Sequence, residues 1–229
     1  MKYTLLLFLA CVQFSYAQPN YAPYDSLLQK HVSKSGKVNY KAIKADQSML
    51  DSVVMDFQYH APQDTWAKNE KLAYWLNTYN LFTIKLIVDN YPVKKITDLD
   101  GGKTWDVKRI EIGDKKYSLN QIENEIIRPQ FKDPRIHFAI NCAAKSCPPL
   151  YNQAFTADNV QSFLSKRTRQ FVRSKANELS ETNVKVSKIF DWYKADFSDL
   201  VAFLNKYATV KISKDAQVEY LDYDWNLNN

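Results

Sequence analysis

Glycine is scarce, with 4 in 229 residues. A chain so poor in the residue that moves most freely into turns leaves little for flexible linkers, so several domains on loose tethers are excluded. Cysteine numbers only 3, too few for a disulfide-dense scaffold. Beyond the N-terminus no apolar run reaches the length of a membrane-spanning helix. Repeats and low-complexity tracts are absent, which excludes solenoids and arrays. The charge excess is mild, a formal +6 spread along the chain. Its densest cluster is Lys166, Arg167, Arg169, Arg173 and Lys175, read as the solvated face of one helix. No nucleic-acid motif accompanies it, so nucleic acid is not an expected partner.

What is present begins with an export signal. Lys2 precedes an apolar stretch over residues 5–12, too short to span a bilayer, and Ser15-Tyr16-Ala17 places small residues where a signal peptidase cuts. The expectation is a signal peptide over 1–17, cleavage after Ala17, and an exported single domain over 18–229, periplasmic or secreted. Lipidation at Cys11 ranks below plain cleavage because Phe8 fits that signal poorly.

Periodicity then sets the elements. Asp25 is read as capping a short helix, Gly36 as breaking it, and residues 38–40 as extended. Helical spacing recurs over 41–60. The strongest pattern covers 67–90, where Leu72, Trp75, Leu76, Tyr79, Thr83 and Leu86 form one apolar stripe and Tyr91-Pro92 stops the helix. Residues 107–112 alternate before a Gly113-Asp114 turn, the pattern of a hairpin. Ser118 and Gln121 form a capping box for another helix, closed at Pro129. Residues 135–141 alternate as a strand and enter a tight loop over 142–149. A helix over 156–174, a strand at 184–186, a helix over 198–207 and a strand over 218–225 complete the chain. Strands and helices do not alternate regularly. The expected class is therefore α+β, a mixed or mainly antiparallel sheet packed by several helices.

Three blocks carry the unusual polar residues. On the long helix, Asn77 and Asn80 lie three apart and share a face, as braces of backbone or as groups addressing a site. In the second block, strand alternation puts His137 and Asn141 on one face and Cys142 on the apolar other, leaving Cys147 in the loop. Three readings of the thiols stand open: a Cys142–Cys147 disulfide, a reactive Cys147 paired with the His137 imidazole, or inert or metal-bound thiols. A zinc site from His137, Cys142 and Cys147 has no clear fourth ligand, so no metal and no cofactor are expected. The third block sets carboxylates beside aromatics, with Trp192 near Asp191 and Asp196, and Asp224 between Tyr223 and Trp225. It is read as core packing or as a cleft wall.

Together these blocks resemble the family with domain of unknown function 547. The matching pieces are 74–80; Ser118-Leu119 through Ile122-Glu123 to Arg128; 133–138; Asn141-Cys142 with 145–149; 187–193; and Tyr223-Asp224-Trp225. The resemblance runs from about 66 to 228. It departs at Asn124, where relatives often carry His after the Glu. Because the family name records no activity, the resemblance implies a fold and a site location only. It points to Glu123 and Arg128, with Trp192 and Asp224, as binding or orienting groups.

Two function classes follow. One is a thiol-dependent acyl hydrolase or transferase of papain- or transglutaminase-like type, with Cys147, His137 and Asn141 as its machinery and peptide or cell-envelope material as substrate. Against it, that fold ordinarily carries its Cys at the start of the long central helix, before the His strand. The other is a binding module with a disulfide-braced loop. The expected partner is a peptide, a glycan or a small molecule. His137, Asn141, Asn77, Asn80 and Glu123 are expected to converge on one pocket.

Overall fold

The computed structural model describes residues 17–229. All but the last residue of the export-signal segment therefore lies outside the described residues. Asn20 caps helix α1 (Tyr21–His31) by accepting from the Ala22 amide. Asp25 lies inside α1 and accepts from the Ala154 amide instead of capping. Helix α2 (Tyr40–Ala45) and helix α3 (Gln47–Tyr59) divide the expected 41–60 helix, because Asp46 leaves helical geometry with φ −125° and ψ 51°.

Helix α4 (Lys68–Asp89) is the axis of the molecule. It is buried on every side from Leu72 to Ile84, so the expected single stripe is a whole buried cylinder. Such a helix must satisfy its own polar side chains. Thr78 and Thr83 return their hydroxyls to the carbonyls of Tyr74 and Tyr79. Asn77 pairs with both backbone groups of Phe155, at 2.7 and 2.9 Å.

Strands β1 (Ile110–Ile112) and β2 (Lys115–Tyr117) form the expected hairpin, with Gly113 at φ +54° in its turn. Ser118 and Gln121 exchange hydrogen bonds as a capping box. The helix they open is a π-helix, Gln121–Ile127, whose wide turn closes through the Arg128 amide on the Glu123 carbonyl. It runs on into α5 (Arg128–Phe131), so Pro129 sits near the start of a helix; Lys132 ends it in left-handed geometry.

The expected strand at 135–141 is not formed. Asp133 caps a 3-10 turn, Pro134–Phe138, with Pro134 in its first positions. At about three residues per turn, neighbouring side chains point in three directions instead of alternating between two. Ile136 enters the core around α4, and Phe138 enters a second core with Phe171, Phe190, Phe197 and Phe203. His137 lies between them at the seam.

Helix α6 (Val160–Val172) follows. Arg167 is an exception to its solvated basic face. It is buried, bonds the Pro149 carbonyl and lies over the Tyr151 ring, and burial pushes its guanidinium down to about 10. Strands β3 (Glu178–Leu179), β4 (Asn183–Ser187) and β5 (Gln217–Leu221) form the second sheet, with β3–β4 antiparallel and β4–β5 parallel. Between them run α7 (Ile189–Trp192) and α8 (Leu200–Asn205). Eight α-helices and two small sheets among the described residues make the fold α+β. No described helix is long and apolar enough to cross a membrane.

Candidate functional site

The seam between the two cores opens into a cleft of about 210 Å³. Its floor is polar. The π-helix turns Glu123 inward, the 3-10 turn supplies His137, and both are nine-tenths buried or more. His137 Nε2 meets Asp196 Oδ2 at 2.7 Å, while Nδ1 faces Glu123 Oε1 at 3.9 Å, too far for a hydrogen bond. His137 Nδ1 and Glu123 Oε1 are buried and have no hydrogen-bond partner. Native proteins rarely leave such groups unsatisfied, and both residues line this cleft.

Asp196 is held from two sides. Arg128 grips it through Nε and Nη2 at 2.7 and 2.9 Å, opposite the imidazole. The hydrogen bond from His137, followed by that from Arg128, holds the carboxyl well below the usual carboxylate range. An ionised Asp196 fixes the proton of a neutral His137 on Nε2 and leaves Nδ1 as an acceptor. Asn124 steadies the guanidinium by accepting from Arg128 Nη1 at 2.6 Å, and itself donates to Asn120.

Aromatic side chains form the walls. Tyr193 stacks on His137 with ring centres 3.9 Å apart. Trp105, Trp192, Tyr223 and Trp225 form a continuous surface, with neighbouring ring centres 4.7–5.7 Å apart. Burial first, then the nearby Glu123 carboxylate, pushes the hydroxyls of Tyr79, Tyr193 and Tyr223 upward. Their protons therefore stay on, as hydrogen-bond donors. Among the described residues, no group of His, Cys, Asp and Glu side chains is arranged to hold a metal.

The Cys142–Pro149 loop lies along the rim. Ala143 takes left-handed geometry at φ +63° just after Cys142, so strand alternation does not run on into the loop. The exposures are accordingly reversed: Cys147 is buried at 6%, and Cys142 is half-buried. Their Cα atoms lie 6.4 Å apart, within the range of a disulfide, and the two sulfurs touch. The Tyr223 hydroxyl donates to Cys147 Sγ at 3.0 Å.

Of the residues singled out from the sequence, the structure brings Glu123, His137, Cys142, Cys147 and Trp192 to the cleft, with Arg128 just behind Asp196. Asn77, Asn80 and Asn141 do not join them. Asn80 spans Ala139 O and Asn141 N at 2.9 and 2.8 Å. Asn141 holds Pro148 O and the Ala143 amide. All three side chains satisfy backbone. Asp224 is exposed and orders a turn with Asn226. The third block of the sequence, read as core packing or as a cleft wall, supplies Trp192, Tyr193, Tyr223 and Trp225 to the walls, whereas sequence reasoning missed Tyr79 as a wall and Asp196 as the group that orients His137. The one available signal was the run of carboxylates beside aromatics near Trp192.

Fold and site thus define an α+β protein with an aromatic-walled cleft over a buried Glu–His pair. Residues 63–172 match the model of a family described as protein of unknown function, DUF547, which supports membership of that family. The matched stretch carries Glu123, His137 and both loop cysteines, whereas Tyr193, Asp196 and Tyr223 lie beyond it. No curated protein and no solved structure matches the chain.

Proposed function

We propose that the protein is an exported binding module, with a Cys142–Cys147 bridge bracing the rim of a cleft that takes a small ligand. One observation carries the reading: each sulfur touches the other, while two buried atoms without a hydrogen bond, Glu123 Oε1 and His137 Nδ1, belong to residues that line the cleft. A bridged sulfur is no nucleophile, so recognition falls to the floor and the aromatic walls. The cleft is smaller than the ~300–1,000 Å³ of pockets for drug-sized ligands, which favours a small molecule or the end of a longer one. Export rests on residues 1–17, and the intact mass of recovered protein should begin at residue 18.

A second reading, a thiol-dependent acyl hydrolase or transferase, draws on the presence of Cys147 and His137 in the same cleft. It requires the bridge to be open. Exposure of the native protein to an electrophilic thiol probe, with peptide mapping, separates the two. The binding module predicts no labelling before reduction. Labelling of Cys147 in the unreduced protein would overturn it in favour of the enzyme.

A further inference from the structure

We infer that the ligand of this cleft is a small aliphatic ammonium ion, its nitrogen held by Glu123 Oε1 and His137 Nδ1 and its carbon chain against the aromatic wall. The inference rests on reading the cleft as a ligand site. Charge gives the first argument. Arg128 grips Asp196 through two hydrogen bonds and balances its charge, and Asn124 occupies a further guanidinium N–H. Among the described residues no Lys or Arg is bonded to Glu123: His137 lies 3.9 Å away, and the buried Oε1 has no hydrogen-bond partner, an arrangement that suits a bound cation.

Hydrogen-bond chemistry gives the second. In the neutral ring, with Nε2–H donated to Asp196, His137 Nδ1 is an acceptor, and Glu123 Oε1 is another 3.9 Å away. Two convergent acceptors suit a group with at least two N–H donors. A primary ammonium has three, a hydroxyl one and a quaternary ammonium none.

The walls give the third. Tyr193, Trp192, Tyr223 and Trp225 present ring faces and edges around the opening, and aromatic rings attract organic cations. Arg128 already lies 5.2 Å over the Tyr193 ring. A volume of about 210 Å³ admits on the order of seven non-hydrogen atoms at roughly 30 Å³ each.

The test titrates the full protein, its Cys142–Cys147 linkage first mapped, with n-butylammonium, 1-butanol, tetramethylammonium and butyrate at fixed ionic strength. Indole fluorescence reports binding. Saturation with butylammonium is expected, with tetramethylammonium at least tenfold weaker and butanol and butyrate without effect. Glu123→Gln should weaken butylammonium at least tenfold. Trp192→Ala, truncating an exposed side chain, should weaken it severalfold and keeps the test open if Glu123→Gln misfolds. Equal binding of butanol, preference for butyrate, an unchanged Glu123→Gln affinity or no saturation by any probe would overturn the ammonium assignment. With the linkage intact, those outcomes leave the binding-module reading standing. A free, labelled Cys147 would remove that reading first.

Discussion

Asp196 shows how one side chain sets the state of another. Its carboxyl is depressed by the His137 hydrogen bond and then by Arg128, so its ionised form is favoured more in the folded chain than in the unfolded one. The sign follows from linkage. The stabilisation is complete well above the unfolded carboxylate value of ~3.9, and it is lost as pH falls below that value toward the lower folded one. Asp196→Asn should therefore cost more stability at pH 6 than at pH 3, read as urea midpoints of the two proteins at each pH. An equal gap at both pH values would mean that the ion pair contributes nothing. The sequence showed Asp196 only as an acid near aromatics, because its partners Arg128 and His137 are 68 and 59 residues away.

At the scale of elements, α4 and the segment after it show what was legible and what was not. A long helix with apolar residues three and four apart and a proline after its end is plain in sequence, and its bounds came within a residue. The 3-10 turn over Pro134–Phe138 was not, because alternating apolar and polar residues match a strand equally well. The deciding signal was Asp133-Pro134, a cap followed by proline at the first helical position, which outweighs alternation over so short a run. The π-helix had no signature, since its capping box and apolar residues fit an ordinary α-helix equally well. Asn80 ties α4 to the end of the 3-10 turn through two buried backbone groups. Asn80→Ala leaves both unpaired and should lower stability by about 2–4 kcal/mol in urea unfolding. A loss under about 1 kcal/mol would show that water or a shifted backbone replaces it.

Over the whole molecule, the last residues stitch distant parts together. Leu227 lies between Lys94 and Ala144, and Asn228 reaches the Tyr40 hydroxyl and Asn141 Oδ1 at 2.7 and 3.1 Å. Pairings across such separations cannot be read from local pattern. Asn228→Ala should cost about 1–3 kcal/mol of global stability, and its thermal midpoint should fall accordingly. The same global stability gives the most direct test of whether Glu123 serves ligand or fold. A buried carboxylate kept for binding adds little to the free protein, and an amide of the same shape still accepts from the hydroxyls of Tyr79 and Tyr193 beside it. The decisive measurement is the urea unfolding free energy of Glu123→Gln against the unsubstituted chain at neutral pH. Stability unchanged or raised is the predicted result. A loss of about 3 kcal/mol or more, the cost of breaking a buried charged network, would make Glu123 a structural brace and contradict the account.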